Sequence, residues 1–128
     1  MVSTIGDQLQ SMGLPSAFDR VGTCVFSLQR EDGCRCTVTL VSDPDAMKLY
    51  LILQSWLSLP EKMSRTFFLA FARRSLEPLR GGQGIGLYPE SEQLTLYRVL
   101  DLHDGVELET ELIALVEAVA ELEGELLA

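Results

Sequence analysis

Histidine and cysteine, two residue types common in catalytic and metal sites, are scarce in this chain of 128 residues. The single histidine, His103, falls in a polar link, and nothing in the sequence places it beside a nucleophilic serine or cysteine. The three cysteines, an odd number, favour reduced structural thiols, although Cys34 and Cys36 share one face of a predicted strand. A zinc site usually needs about four ligands, so we expect no metal. We also expect no catalytic residue and no cofactor.

Long apolar runs are also absent, so no segment is predicted to span a membrane. Residues 1–10 lack the basic region and the apolar core of a signal peptide, which predicts a cytoplasmic protein. The length suits one domain, and the apolar content of 47% is enough to bury one core.

Basic residues are missing from the C-terminal part of the chain. The net charge is −9, while residues 1–98 balance ten Lys and Arg against ten Asp and Glu, so the whole excess lies in residues 99–128. Such a surface repels nucleic acid and anionic membranes, and we expect neither as a partner. It would suit a basic partner, and solubility alone would also account for it.

Phosphate-binding and calcium-binding motifs are absent as well. The segment from Pro78 to Gly84 is rich in glycine, but no strand–turn–helix order surrounds it and no Lys-Ser or Lys-Thr pair follows, so it is expected to be a linker. Asp43 and Asp45 flank a proline in a turn, without the ligand spacing of a calcium loop. These absences indicate a protein that functions through its surface.

The strongest pattern that is present covers residues 104–127, which are predicted to form an amphipathic helix. Asp104 is the candidate N-cap, and Glu107 follows three residues on, as in a capping box. The seven glutamates of this stretch occupy the remaining faces and are expected to be exposed. The apolar stripe consists of Leu108, Leu112, Leu115, Val119, Leu122 and Leu126.

Apolar periodicity and turn residues predict the other elements. Helices are expected over residues 3–13 and 60–75, and Asp32-Gly33 marks a tight hairpin turn. Five strands are expected, over residues 23–30, 34–41, 47–54, 85–88 and 93–100. The order α-β-β-β-α-β-β-α predicts a single α+β domain over residues 1–128, with an antiparallel twisted sheet.

Two of these elements are apolar on more than one side. The strand 47–54 has apolar residues on both faces, so both faces are expected to be covered. The helix over 60–75 contains the run 67–72, which is apolar in every direction. One side of that helix can lie on the sheet, and the other side favours a second subunit, because three exposed phenylalanines would be an aggregation hazard.

The order of elements and the acidic C-terminal block resemble the class I type III secretion chaperones of the CesT/SycE family. The most similar segment is 84–100, GIGLYPESEQLTLYRVL, which precedes the Leu/Glu helix. The helix carrying Ile5 and Leu9 and the Asp32-Gly33 turn also fit. The resemblance covers nearly the whole chain by pattern rather than by an invariant motif, and the cysteine pair and the glycine-rich segment depart from the family.

The resemblance implies a non-enzymatic cytoplasmic homodimer of a Gram-negative bacterium with a role in virulence. It would bind the N-terminal region of one or a few secreted effectors, keep that region extended and secretion-competent, and deliver it to the secretion apparatus, with the secretion ATPase as a further candidate partner. The effector groove would draw on Ile5, Leu9, Leu14, Val25, Val38, Leu40 and Tyr50, some of which must be core. The dimer interface would draw on Phe67, Phe68, Phe71, Ile85, Leu87 and Tyr88.

Two alternatives stay open at the level of the sequence. One is a cytoplasmic α+β adaptor that regulates a folded partner and has no link to secretion. The other is a small enzyme that uses Cys34 or Cys36, which thiol alkylation would inactivate.

Overall fold

The computed structural model describes residues 2–58, 62, 64–74, 84–87 and 92–127. The predicted α+β class and the predicted order of elements are confirmed. The elements are α1 (Val2–Ser11), β1 (Thr23–Gln29), β2 (Arg35–Asp43), β3 (Lys48–Ser58), α2 (Arg65–Arg74), β4 (Gly84–Leu87), β5 (Gln93–Asp101) and α3 (Leu108–Leu127), with a 3₁₀ turn, Leu102–Asp104, before α3.

The five strands form one antiparallel sheet in the order β1-β2-β3-β5-β4. The hairpin between β1 and β2 closes through Asp32-Gly33 as predicted, because Gly33 takes a φ of 85° that favours glycine. The amide of Arg30 donates to the carbonyl of Cys34 at 2.8 Å across this turn. The first three strands therefore form the predicted meander, and β5 adds to its far side.

The core lies on one face of the sheet, called here the inner face. Strand residues alternate between this face and the opposite, outer face, so every second apolar side chain is buried. Helices α1 and α3 cover the inner face and contribute their own apolar stripes. The fully buried side chains are Leu9, Val38, Leu40, Leu49, Leu51, Leu53, Leu94, Leu96, Leu108, Leu115, Val119 and Leu122.

Helix α3 buries the predicted stripe, but it begins later than expected. The chain first makes the 3₁₀ turn, for which Asp101 accepts from the amide of His103 at 2.9 Å. Gly105 then takes a φ of 73°, which interrupts the helical path and lets α3 start at Leu108. The prediction of Asp104 as the N-cap of the long helix is therefore wrong, because the capping aspartate is Asp101 and it caps the short turn.

The outer face of the sheet is less buried than the inner face. Tyr50 and Ile52 of β3 are half-buried, so the predicted cover on both sides of this strand is incomplete in the described chain. Val25 of β1 is 57% exposed and Val99 of β5 is exposed as well. Helix α2 contacts β4 at the edge of the sheet, and Phe68 on this helix is 54% exposed.

Candidate functional site

The structure separates the seven predicted groove residues. Four of them, Ile5, Leu9, Val38 and Leu40, are buried in the core between the sheet and the two helices that cover it. The prediction that these four residues line a binding groove is therefore wrong, because a side chain enclosed by its own domain offers no surface to a ligand. The other three residues remain accessible: Val25 and Tyr50 lie on the outer face, and Leu14 follows α1 on the opposite side.

Leu14 belongs to a groove that the sequence did not predict, called here the α1–α3 groove. It has a volume of about 680 Å³ and lies between the end of α1, the β1–β2 hairpin and the exposed side of α3. The lining residues are Ser11, Met12, Leu14, Leu28, Gln29, Arg30, Glu31, Asp32, Glu109, Leu112, Ile113, Val116, Glu117 and Ala120.

Helix α3 supplies one wall of the α1–α3 groove through a second stripe beside its core stripe. The wall residues are Glu109, Ile113, Val116, Glu117 and Ala120, together with the edge of Leu112 from the core stripe, and they recur along α3 at steps of three and one. Ile113 is 51% exposed, so this wall offers apolar surface. The signal was present in the sequence, because Ile113 and Val116 make the apolar face of α3 wider than packing on one core requires.

A buried ion pair ties the C-terminal half of α3 to the hairpin. Arg30 Nη2 lies 2.6 Å from Glu123 Oε1, and these two side chains are only 7% and 5% exposed. The hydroxyl of Ser55 donates a short hydrogen bond to Glu123 Oε2. The prediction that all glutamates of α3 face water is therefore wrong at this position, because Glu123 follows Val119 by four residues and so lies on the buried stripe.

Arg30 also contacts the hairpin turn. Its guanidinium lies 3.1 Å from Asp32 Oδ2, and the carboxylate of Asp32 accepts from the amide of Cys34 at 2.9 Å. That amide and the guanidinium hold the pKa of Asp32 below its ordinary value. Burial opposes the charged form of Arg30, but the contacts with Glu123, Cys34 and Asp32 together outweigh it and raise the pKa of the guanidinium. Asp32 is therefore charged at neutral pH.

A neutral side chain ties the other end of α3 to α1. The amide group of Gln8 donates from Nε2 to the carbonyl of Val106 at 2.7 Å. It also accepts, through Oε1, the amide hydrogen of Leu108 at 2.6 Å. Gln8 thus satisfies the first amide of the helix, a role usually filled by a capping residue of the same segment.

The predicted dimer residues are only partly within the described structure. Phe68 is exposed on α2, whereas Ile85 of β4 is already buried by its own chain. The side chains of Phe67, Phe71 and Leu87, and the whole of Tyr88, lie outside the described residues. The dimer interface therefore stays a prediction.

Two of the three cysteines offer little reactive thiolate. Cys24 and Cys36 are buried, and burial raises the pKa of both thiols. Their sulfurs lie near backbone carbonyls, Cys24 Sγ at 3.6 Å from Pro15 O and Cys36 Sγ at 3.8 Å from Leu28 O. These environments suit structural thiols and disfavour a nucleophilic role.

The acidic side chains and the histidine do not gather into a metal centre in the part of the chain that the structure describes. His103 is exposed in its loop, with Nδ1 at 2.9 Å from Asp101 Oδ1, as its polar surroundings predicted. Among the described helices, none is both long enough and apolar enough to cross a membrane. The features that remain are the α1–α3 groove and the apolar outer face.

These features define a small α+β protein whose surface carries apolar patches and an acidic helix. The sequence model of the Tir chaperone protein (CesT) family matches residues 5–123. The chain belongs to this family, and the predicted resemblance is confirmed.

Two solved structures share the fold. A chain of the HopA1–SchA chaperone–effector complex is 20% identical with a TM-score of 0.64, over 98% of this chain and 92% of that chain. A chain of the ExsC–ExsE complex is 19% identical with a TM-score of 0.64, over 96% of this chain and 91% of that chain. No curated protein matches the chain in sequence.

Proposed function

We propose that this protein is a cytoplasmic type III secretion chaperone that binds the N-terminal region of a cognate effector. It holds that region extended and secretion-competent and delivers it to the secretion apparatus, where the secretion ATPase is a candidate partner. The observation that carries the proposal is the family match over residues 5–123, nearly the whole chain. Fold likeness to two complexes, one of them a chaperone–effector complex, supports it.

The outer face of the sheet supplies one candidate surface for the effector. Val25, Ile52 and Tyr97 occupy one row across the strands, and Val41, Tyr50 and Val99 occupy the next. All six side chains are exposed or half-buried. An extended segment could cover this apolar area and, at the β1 edge, add a strand through main-chain hydrogen bonds.

The free energy of binding alone would keep the effector segment extended on the chaperone. Ordering an extended segment costs about 2–5 kcal/mol or more, which burial of apolar surface must offset. Two copies of the surface on a homodimer would add contact to one long client. No step of this scheme needs a nucleophile or ATP hydrolysis by the chaperone, so it acts as a binding protein rather than as an enzyme.

Dimerisation is proposed through α2 and β4. Phe68, 54% exposed on a helix at the edge of the sheet, supports it, because a partner subunit would cover this side chain. We expect Phe68→Asp to halve the solution mass measured by light scattering, since a charge in an apolar interface is strongly unfavourable. Thr66→Asp is the control, because Thr66 is exposed on the same helix. An unchanged mass for Phe68→Asp would remove Phe68 from the interface.

The function itself is tested by affinity capture from the cytoplasm of the native host. Bound proteins are identified by mass spectrometry, and limited proteolysis of the isolated complex maps what is protected. The expected result is one dominant client that is protected over an N-terminal segment. Protection of scattered surface on a folded partner would instead favour the adaptor alternative. Alkylation of the thiols should leave capture intact, whereas a thiol enzyme would lose its activity.

A further inference from the structure

The α1–α3 groove has an apolar lining that is open to solvent. Helix α1 and the loop after it contribute Met12 and Leu14, and β1 contributes Leu28. From α3, Ile113 is about half exposed and Val116 is half-buried. Apolar area in a concave position gains free energy when another apolar surface displaces its water.

Carboxylates surround this apolar lining. Glu31, Glu109 and Glu117 are exposed and form no ion pair among the described residues. Arg30 is the one basic side chain that lines the groove within the described chain, and Asp32 and Glu123 already neutralise it. A ligand therefore meets negative charge on both sides of an apolar strip, which favours lysine or arginine beside its apolar residues.

The length of the groove limits the ligand. Along α3 its lining runs from Glu109 to Ala120, a distance of about 16 Å at the helical rise of 1.5 Å per residue. About three turns of a helix cover this distance, with apolar side chains at steps of three and four facing the groove. An amphipathic segment of that length matches both the shape and the apolar lining.

We propose that the α1–α3 groove binds a cationic amphipathic segment of the partner protein. Its apolar side chains lie on Leu14, Ile113 and Val116, and its lysines or arginines lie against the carboxylates of the rim. The proposal rests on the proposed function, since it specifies one chemical feature of the client that the chaperone holds.

The first experiment uses two fluorescently labelled model peptides of about five helical turns. One has leucines on one face and lysines on the other, and the second replaces every lysine by glutamate. Fluorescence anisotropy should give a dissociation constant at least about tenfold lower for the lysine peptide, with the difference shrinking as salt screens the rim charges. Equal binding of the two peptides would overturn the assignment.

Charge-reversed variants locate the site. Glu109→Lys combined with Glu117→Lys should weaken binding of the lysine peptide about tenfold, because each change replaces attraction at the rim by repulsion. The matched control combines Glu121→Lys with Glu125→Lys, which makes the same change in net charge on exposed positions of α3 outside the groove. An equal loss of affinity in the control would show that net charge alone attracts the peptide, which would refute binding in the groove. A change of solution mass in the first variant alone would mean that a second copy of this chain occupies the groove, which also refutes the proposal.

The same variants separate this proposal from the proposed function. If the native client is captured normally by the Glu109→Lys and Glu117→Lys variant, the groove assignment fails and the secretion function stands. If the lysine peptide binds at the groove but no secreted client is ever captured, the groove assignment stands and the secretion function fails.

Discussion

The two ends of α3 are attached to the rest of the domain by different chemistry. At the N-terminal end, the neutral amide of Gln8 bonds to Val106 and Leu108, and a partly exposed ion pair joins Glu111 to Arg98 at 3.0 Å. In the C-terminal half, the charged pair of Arg30 and Glu123 is buried against the hairpin. A neutral amide loses much less hydration free energy when it is enclosed than two charges do, and the enclosed charges depend on each other. The two attachments should therefore respond very differently to the loss of one partner.

The ion pair should give the larger effect when it is broken. Glu123→Ala leaves the guanidinium of Arg30 buried with only Asp32 as an ionic partner, and the hydroxyl of Ser55 loses its acceptor. We expect the free energy of unfolding to fall by about 3 kcal/mol, the lower part of the range for breaking a buried pair. Urea unfolding followed by far-UV circular dichroism, at one fixed protein concentration, measures it.

Two controls sharpen that result. Glu121→Ala changes an exposed glutamate on the same helix and should alter the free energy of unfolding by no more than about 0.5 kcal/mol. Replacing both charges, by Arg30→Met with Glu123→Leu, should recover most of the stability, because no unpaired charge stays buried. If Glu123→Ala is as stable as Glu121→Ala, the ion pair of Arg30 and Glu123 does not stabilise the attachment of α3.

The amide attachment should give the smaller effect. Gln8→Leu keeps the size of the side chain but leaves the amide of Leu108 and the carbonyl of Val106 without this partner. We expect a loss of about 1–2 kcal/mol, as for unsatisfied backbone groups that water can partly reach. Gln10→Leu is the matched control, because Gln10 is exposed on the same helix. Equal losses in the two variants, measured by urea unfolding, would argue against the bridge.

The sequence was enough to predict the features that repeat locally, but it did not predict the hydrogen bonds and ion pairs between distant residues. Strand alternation and the leucine spacing of α3 predicted the inner face and the buried stripe, because these periods follow directly from strand and helix geometry. Ser55 and Glu123 are 68 residues apart, and Gln8 and Leu108 are 100 residues apart. Nothing in a local pattern indicates that such side chains meet.

The candidate site was harder to predict than the fold for the same reason. A stripe of apolar residues shows that a side chain prefers to be covered, but it does not show whether the cover is its own domain or a partner. Leu9 and Ile113 are both apolar residues on amphipathic helices, yet Leu9 is fully buried and Ile113 is half exposed. The difference depends on where α1 and the hairpin end, which only the packed structure defines.

The smallest effect is expected at the turn that leads into α3, where the carboxylate of Asp101 is exposed to solvent. Its pKa is lowered from 3.8 to about 2, chiefly by the amide and the ring of His103 and further by Lys48. A lowered pKa in the folded state means that ionised Asp101 stabilises the fold above about pH 4, and that this contribution is lost as the pH falls towards 2. Asp101→Ala should therefore be less stable than the parent at pH 7, by less than Gln8→Leu.

The pH dependence separates this charge effect from a general loss of packing. The difference in unfolding midpoint between the parent and Asp101→Ala should shrink as the pH falls below about 4, because the parent then loses the contribution of the carboxylate. Asp104→Ala, an exposed carboxylate of the same turn, provides the comparison. A difference that persists unchanged to pH 2.5 would assign the effect of Asp101 to backbone geometry rather than to its charge.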